Sequence, residues 1–432
     1  MSREMKNSGI EWIGQIPQHW IALPNKYLMK KLKMILSRYN DEPILSLTMD
    51  GVIVRDLDAG GKMPTSFDGY QKISKGNLLM CLFDIDVTPR CIGLIKQDGV
   101  TSPAYSQFVL NAGNYAPYYY YLYLYLDNDK LLLPLAKNLR HSLTEDVLGE
   151  IPMIQPPLSE QQSIANYLDF KCSQIDQLSD NIKQQIEELG EYKKALITQA
   201  VTKGLDPDVE MKDSGIKWVG EIPSDWSISK LKYVASIIGG NGFPEYLQGE
   251  DTDEIPFYKA GDISAAVRKI SDSRTYISRI IADKHRFNLI PSGAILMPKI
   301  GEAMKKNSRA LSTKICCIDN NCQAIVPSNQ VEQDYCYYLL CIVDMNDFDN
   351  AGTIPSLNNS KLLNLQIPFP PKKTQHAIAN YLDSKCSQID ALIQTKSEIL
   401  NVLQEYKKSL IFDYVTGKKE VPVSYRKDGC HE

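Results

Sequence analysis

The chain has 432 residues, and 48 lysines and arginines against 52 aspartates and glutamates give it a net charge of −4. This length suffices for two to four domains with sizeable cores, and 43% hydrophobic residues are ordinary for a soluble globular protein. No apolar run approaches the ~20 residues that span a bilayer, and the polar N-terminus lacks the apolar core of a signal peptide. We therefore expect a cytoplasmic protein with no membrane partner, and the total charge does not by itself indicate a nucleic-acid binder.

A short motif rich in Trp, Gly and Pro follows a polar leader and occurs twice. It reads SGIEWIGQIPQHW at 8–20 and SGIKWVGEIPSDW at 214–226, an offset of 206. Paired tryptophans at this spacing are typical of a loop that packs onto a neighbouring surface. We interpret residues 1–20 as an N-terminal framework loop, and 205–226 as a polar linker followed by the second copy.

Residues 21–157 form the first variable domain, where short apolar runs between turn residues predict strands. One aromatic segment, YYYYLYLYL at 118–126, has a counterpart at 334–343 in the second variable domain, 227–371. Its alternation permits a strand, whereas its length and the preceding Pro117 permit a helix. Core packing is the favoured interpretation of these aromatic residues, and a base-stacking platform is the alternative.

The longest repeat predicts two helices of equal length, at 158–204 and 372–418. Both contain IANYLD, KCSQID and EYKK, and the second copy begins 214 residues after the first (164 to 378) with the same offset at EYKK. Apolar residues recur every seven positions, which favours an antiparallel two-helix coiled coil over two separate surface helices. The predicted framework and partner-docking residues are Tyr167, Leu168, Ile175, Ile182, Leu189, Tyr192, Tyr381, Leu382, Ile389, Leu403 and Tyr406.

The second variable domain is about eight residues longer than the first and has the only concentrated positive charge. Its segment 284–314 holds seven lysines and arginines against Glu302 alone. The turn cluster Gly-Gly-Asn-Gly at 239–242 lacks the Lys-Ser/Thr of a phosphate-binding loop, so we interpret it as a turn. A polar tail at 419–432 closes the chain. The fold class expected is α+β: two β-rich domains separated by a pair of long antiparallel helices, in a pseudo-two-fold repeat.

Cysteine and histidine spacing does not indicate a metal site, because the chain has no paired Cys-x-x-Cys motif and its five histidines are scattered. Cys172 and Cys386 repeat with the helices, and buried free thiols explain them best. The motifs of an amino methyltransferase, of a nucleotide-binding loop and of a nuclease are also missing, so no residue is predicted to be catalytic.

Taken together, the two Trp/Gly/Pro motifs, the two helices and KGLDPDVEMKDSG at 203–215 resemble the specificity subunit of type I restriction–modification systems. The resemblance covers the whole chain. It implies two target recognition domains, each reading one half of a bipartite, asymmetric duplex DNA site, with the helices as the spacer between them. It also implies two methyltransferase subunits and two restriction subunits as partners, which would carry S-adenosylmethionine, ATP and Mg²⁺, so that this chain would hold no cofactor itself.

Cationic and aromatic side chains of both variable domains are the predicted DNA contacts, since lysine and arginine bind phosphates and arginine also reads guanine. In the second domain they are Arg268, Lys299, Lys305, Lys306, Arg309 and Lys314, and in the first Arg55, Lys62, Lys72, Arg90, Lys96 and Tyr105. Two alternatives stay open: a scaffold in which a coiled coil joins two protein-binding domains, and an enzyme with an unrecognised catalytic cluster.

Overall fold

The computed structural model describes residues 3–58, 64, 66–136, 141–244, 246, 254–350 and 352–425. The chain forms two compact units: unit 1 is Met1–Lys183 with Ser397–Glu432, and unit 2 is Gln184–Lys396. Each unit contains one variable domain and parts of both long helices, so the units divide the chain differently from the segments recognised in the sequence. Among the described residues, none of the helices is both long and apolar enough to cross a bilayer.

The first half of the chain contains twelve described strands and three α-helices. They are β1 Met5–Asn7, β2 Gln15–Pro17, β3 Ile21–Pro24, β4 Met29–Leu32, β5 Leu45–Thr48, β6 Gly51–Val54, β7 Gln71–Ile73, β8 Leu78–Met80, β9 Ile92–Leu94, β10 Gly99–Thr101, β11 Ser106–Leu110, α1 Ala116–Asn128, α2 Glu145–Glu150, β12 Pro152–Gln155 and α3 Leu158–Lys203.

The second half has twelve more described strands and seven helices. They are β13 Met211–Ile216, β14 Gly220–Pro223, β15 Ser227–Lys230, α4 Leu231–Val234, β16 Ala235–Gly239, β17 Ile255–Tyr258, α5 Ala260–Ala265, β18 Lys269–Ile270, β19 Tyr276–Ile277, α6 Arg279–Lys284, β20 Ile295–Pro298, α7 Gly301–Lys305, β21 Ala310–Ser312, β22 Cys317–Ile318, β23 Cys322–Pro327, α8 Gln333–Cys341, α9 Asn359–Leu363, β24 Gln366–Phe369 and α10 Lys372–Val415.

The long helices α3 and α10 occupy the predicted segments and begin and end for local reasons. Each begins directly after a Pro-Pro pair, where proline fixes φ and needs no amide donor. After α3 and α10, Gly204 and Gly417 have φ of +80° and +71°, a conformation that glycine adopts without strain. A substituent on Gly417 would also collide with the Trp20 ring, whose Cη2 is 2.8 Å from the Cβ position.

Cross-helix contacts show that α3 and α10 pack antiparallel in both units. In unit 1, Lys407 Nζ lies 2.6 Å from Asp176 Oδ1. In unit 2, Lys193 Nζ lies 2.6 Å from Asp390 Oδ1, and these two pairs are related by the 214-residue offset. Within unit 1, Tyr414 also contacts Tyr167, and within unit 2, Lys396 also donates to Gln185. In each unit the partner numbers therefore fall along α10 as they rise along α3, so the alternative of two separate surface helices is wrong.

Each variable domain enters and leaves through one pair of antiparallel strands. In unit 1, β3 pairs with β12 from Ile21↔Gln155 to Pro24↔Pro152. In unit 2, β15 pairs with β24 from Ser227↔Phe369 to Lys230↔Gln366. Because the two ends of each domain are held side by side, the polypeptide between them can differ in sequence and length without altering the connection to the helices.

The main sheets inside the two domains differ in strand order. The first domain has a four-stranded sheet of order β4-β11-β8-β9, and the second has a five-stranded sheet of order β16-β23-β20-β21-β18. In the second sheet, β20 runs antiparallel to both β21 and β23. This register decides which basic residues lie at the same sheet end.

The tyrosine-rich segments are helices, α1 and α8, that sit in the cores of their units. Tyr118 and Tyr335 are fully buried. The Tyr118 hydroxyl donates to the carbonyl of Val415, and the Tyr335 hydroxyl lies 3.2 Å from the carbonyl of Pro368 and 3.4 Å from that of Val201, the residue related to Val415 by the 214-residue offset. A helix that is apolar on all sides belongs in a core. Core packing is therefore confirmed, and the strand and base-stacking alternatives are wrong.

The repeated Trp/Gly/Pro motifs are hairpins, β1-β2 and β13-β14, and they pack against the helices as predicted. Trp20 and Trp226 are buried. In unit 1, the Trp20 indole donates to Glu160 at 3.1 Å, and Glu160 also accepts from Arg3 and His19. Burial raises the pKa of the Glu160 carboxyl, but the hydrogen bonds from His19, Arg3 and Trp20 outweigh it, so the pKa lies below its ordinary value.

This depressed pKa predicts an acid-sensitive contribution to stability. Because Glu160 titrates at lower pH when folded, its contribution is complete above the unfolded pKa and disappears as pH falls through the folded pKa. We expect Glu160→Gln to lower the free energy of unfolding by about 2 kcal/mol at pH 7, and the difference from wild type to shrink below about pH 4. Urea denaturation between pH 3 and 7 measures this, with Thr374→Ala, at the equivalent position of α10, as control. A pH-independent difference would contradict the prediction.

Candidate nucleic-acid interface

Three of the predicted basic residues lie around one end of the five-stranded sheet. Lys299 directly follows β20, and Lys305 and Lys306 lie at the end of the short helix α7 that comes next. Lys305 and Lys306 are exposed, and Lys305 Nζ pairs with Glu302 at 2.9 Å. Exposed cations at a sheet end are placed as a phosphate-contacting surface requires.

Lys314 lies at the opposite end of this sheet. It follows β21, and Leu311↔Ile295 pairing sets the end of β21 beside the beginning of β20. Its ammonium is exposed and lies 3.7 Å from Asp272 Oδ1. The register therefore separates Lys314 from the other three lysines, although it is close to them in sequence.

Arg309 is buried, only 6% exposed, which the sequence did not predict. Its guanidinium donates to the carbonyl of Asn307 at 2.8 Å and to the carbonyl of Val343. Burial lowers the pKa of this group. A guanidinium committed to internal carbonyls has little surface to offer DNA, so the placement corrects the expected role: Arg309 supports the loop after α7.

Arg268 is also internal to unit 2. Its guanidinium pairs with Asp334 of α8 and, at 2.6 Å, with Asp383 of α10, and it lies 5.0 Å from the centroid of the Tyr338 ring. Burial lowers the pKa of Arg268, but Tyr338, Asp383 and Asp334 together raise it above its ordinary value. These contacts link the loop before β18 to helices α8 and α10, so the expected DNA contact is replaced by a structural ion-pair cluster.

The first variable domain disperses its predicted residues. Lys72 and Lys96 are exposed, and Arg55 and Tyr105 are half-buried, with the Tyr105 ring stacked on Phe83 at 6.3 Å. Burial raises the pKa of Tyr105. Lys62 lies outside the described residues. No single basic surface emerges from this set within the described part of the domain.

Arg90 is held internally, since its Nε lies 3.9 Å from Asp127 Oδ2 and its side chain is only 16% exposed. Asp127 also accepts from Lys130 and from the amide of Cys91. Arg90 therefore faces an internal carboxylate, and its contact with DNA stays a prediction.

The predicted framework residues divide into a buried seam and an exposed face. Tyr167, Leu168, Ile175, Ile182, Leu382 and Ile389 are buried, whereas Leu189, Tyr381 and Leu403 are half-buried. Tyr192 and Tyr406, at equivalent positions of EYKK, are 58% and 54% exposed. The seven-residue spacing therefore correctly predicted the buried contact between the two helices, and Tyr192 and Tyr406 lie outside that contact.

Two hydrogen bonds of the long helices were not predicted. Asp169 and Asp383, the last residues of the two IANYLD motifs, accept from the hydroxyls of Tyr121 and Tyr338 at 2.7 and 2.8 Å. The signal that could have found them is an acid at the same position of both repeats beside an apolar seam. Cys172 and Cys386 are buried free thiols, and burial raises the pKa of each to about 11.

Comparison with known proteins finds a sequence match in the second half of the chain. Residues 223–405, which include the second variable domain and most of α10, match the sequence model described as Type I restriction modification DNA specificity domain. The predicted resemblance to type I specificity subunits is confirmed.

Two relatives from Methanocaldococcus jannaschii are named as specificity subunits of type I restriction enzymes. The chain is 28% identical over 287 residues to the type I restriction enzyme MjaVIII specificity subunit, covering 63% of this chain and 62% of the relative. It is 26% identical over 286 residues to the putative type I restriction enzyme MjaX specificity subunit, covering 65% and 62%. The chain thus matches less than two thirds of the length of either specificity subunit.

A solved structure shares the fold over nearly the whole chain. It concerns complex assembly and conformational transition of the type I restriction–modification system, and it superposes with a TM-score of 0.69, covering 94% of this chain and 99% of that one at 15% identity. At this identity the similarity establishes the fold alone. The expected α+β fold with two long, paired helices is confirmed.

The internal ion pairs of Arg268 lead to a stability prediction. We expect Arg268→Ala to lower the free energy of unfolding by about 2–3 kcal/mol, because two partly buried carboxylates would lose their shared cation. The matched control is Lys269→Ala: Lys269 is half exposed and its Nζ lies 4.0 Å from Asp334, so its removal should cost less than about 0.5 kcal/mol. Chemical denaturation measures both. Wild-type stability of Arg268→Ala would contradict a structural role for these ion pairs, and contact with DNA would again be the favoured role of Arg268.

Proposed function

We propose that this chain is the DNA sequence-specificity subunit of a type I restriction–modification complex. Each variable domain would read one half of a bipartite, asymmetric duplex site. The observation that carries the proposal is the match of residues 223–405 to the DNA specificity domain, together with a first variable domain held by equivalent helix contacts. Two unlike domains on one repeated scaffold suit two unlike half-sites.

Surface lysines supply the proposed electrostatic attraction to DNA in unit 2. Lys299, Lys305 and Lys306 surround one sheet end, whereas Arg268 and Arg309 are committed to internal partners. Phosphate contacts of this kind position a protein on the duplex, and base contacts then specify the sequence. In the first domain, Lys72 and Lys96 are the exposed candidates.

The length of the helices is proposed to set the unread spacer. Helix α3 has 46 residues, which at 1.5 Å per residue is about 69 Å, or roughly two turns of duplex DNA at ~34 Å per turn. Both helices run continuously from residues of one unit to residues of the other. A continuous helix changes length only by whole residues, so a change in its length would change the spacer in discrete steps.

The proposed partners are two methyltransferase subunits and two restriction subunits. Tyr192 and Tyr406 are exposed aromatic side chains at equivalent positions of the long helices, as expected for two equivalent docking sites. S-adenosylmethionine, ATP and Mg²⁺ would be bound by those partners. This chain would be non-catalytic and cytoplasmic.

Replacing Lys305 and Lys306 with Ala tests the electrostatic part of the proposal. We expect weaker duplex binding by the complex with its methyltransferase subunits, and a salt dependence whose slope falls by about 0.9 for each phosphate that the variant no longer neutralises. Lys314→Ala, at the opposite sheet end, is the comparison variant. Unchanged affinity and slope in the double variant would remove α7 from the interface, and a wild-type complex without duplex affinity would favour the protein-binding scaffold.

Lengthening the helices tests the spacer. Seven residues inserted after Lys183 in α3 and seven after Lys396 in α10 preserve the heptad register. We expect the methylated site to keep both half-sites and to gain unread base pairs between them. Modified-base sequencing of cells that express the chain with its methyltransferase measures the site, and alanine replacement of exposed residues at unchanged helix length is the control. A changed half-site would contradict this role of the helices.

A further inference from the structure

The end of helix α6 holds an arginine where a helix normally has glycine. The amide of Arg286 donates to the carbonyl of Asp283, and the amide of Phe287 to that of Ala282, which is the Schellman arrangement of a helix terminus. The residue that adopts the left-handed conformation in this arrangement is Arg286, with φ of +55°. Glycine adopts this conformation without strain, whereas a side chain does so at an energetic cost.

A second helix of the chain shows what a cation at this position can do. At the end of α1 the same arrangement places Lys130 at φ +52°. The Lys130 ammonium donates to Asp127 and to the carbonyls of Ile85 and Thr88, so an internal role explains it. Arg286, in contrast, is exposed and makes no side-chain hydrogen bond or ion pair with any described residue. The strain at position 286 is therefore not offset by an internal bond of its side chain within the described fold.

Arg286 lies at the same sheet end as Lys299. Two residues after Arg286, the Asn288 amide side chain donates to the carbonyl of Gly239, the last residue of β16, at 2.8 Å. Gly239 pairs with Gln323, which pairs with Met297 of β20. The Lys299 ammonium lies 3.7 Å from where a Cβ would stand on Gly239. The turn 239–242 thus contacts both the Lys299 side chain and the segment that carries Arg286, although the two cations are 13 residues apart in the sequence.

This turn is held rigidly against the sheet. The amides of Gly240 and Asn241 donate to the carbonyls of Cys322 and Ile318, and the Asn241 side chain accepts from the amide of Asn288. A Cβ on Gly240 would stand 2.0 Å from the carbonyl oxygen of Asp319, so only glycine allows this approach. The support beneath Arg286 and Lys299 is therefore fixed before any ligand binds, which reduces the entropy lost on binding.

The cations of this surface have no described carboxylate as a direct partner. Lys284, the last residue of α6, is exposed like Arg286. The nearby carboxylate of Asp283 is paired with Arg279 at 3.2 Å, and Asp319 accepts from the amide of Asn321. Surface cations without internal partners are suited to the anionic groups of a polymer, and no carboxylate on the described surface neutralises them by direct contact.

We propose that Lys284, Arg286 and Lys299 form a phosphate-contacting surface, the α6 clamp, which positions the second variable domain on the DNA backbone. The inference rests on the proposed function. Its chemistry is phosphodiester binding rather than base reading, because no described neighbour orients the Arg286 guanidinium as bidentate recognition of guanine requires.

Replacement of Arg286 with Gly separates strain from binding. We expect Arg286→Gly to raise the melting temperature by about 2 °C, since glycine relieves the left-handed strain, and to weaken duplex binding of the methyltransferase complex several-fold. The salt slope should fall by about 0.9, and the methylated sequence should stay unchanged. Arg286→Ala should weaken binding equally without the gain in stability.

Two controls accompany these variants. Lys130→Gly makes the same replacement at the other helix end, where removal of three internal hydrogen bonds should lower the melting temperature. Lys232→Ala removes an exposed charge that bonds to Asn364, and it should leave affinity and slope unchanged.

The outcomes are distinct. Wild-type affinity and slope in Arg286→Gly would overturn the clamp, and an altered base in the methylated site would show reading instead of positioning and would overturn it as well. A wild-type complex that shows no sequence-dependent duplex binding would reject the proposed function itself, whichever variant is used.

Discussion

Each unit depends on buried tyrosine hydroxyls that bond to the long helices. Tyr118 and Tyr335 have no access to water, and burial raises the pKa of each well above its ordinary value. A buried hydroxyl without a partner would cost about 1–3 kcal/mol. The carbonyl of Val415 meets this need for Tyr118, and the carbonyls of Pro368 and Val201 meet it for Tyr335. Unit 1 therefore needs the end of α10 to pack against α1, which lies almost 300 positions earlier in the chain. This contact makes two distant segments of the sequence part of one folded unit.

This dependence explains how unlike domains can share one scaffold. The recurring contacts involve the acid that ends IANYLD and a buried glutamine, Gln161 or Gln375, which accepts from the backbone amide just before the tyrosine helix. These acceptors are related by the 214-residue offset, and their partners in the two tyrosine helices by an offset of 217. All of them lie between the helices and one face of the domain. Strand pairs β3-β12 and β15-β24 then confine the remaining sequence to a closed insertion. A four-stranded sheet in the first domain and a five-stranded sheet in the second are therefore both compatible with the same pair of connecting strands.

The repeated elements could be predicted from the sequence because their signals are local. Heptad spacing, Pro-Pro starts and the duplicated motifs located the helix bounds to within a few residues. The tyrosine segment was ambiguous, since a helix buried on all sides has no polar face to reveal its period. The roles of Arg268 and Arg309 could not be found, because their partners, such as Asp383 and Val343, lie far away in sequence. A count of positive charge cannot separate a buried cation from an exposed one.

Backbone strain follows the same division between scaffold and variable domains. In the framework hairpins and after the long helices, every described left-handed residue is a glycine, including Gly14 and its repeat Gly220. The described non-glycine residues with positive φ all lie in the variable domains, and Arg286 is one of them. A scaffold that must fold in the same way around different domains has no reason to keep a strained side chain. A variable domain can keep one for an internal contact, as at Lys130, or, as proposed for Arg286, for binding something outside the fold.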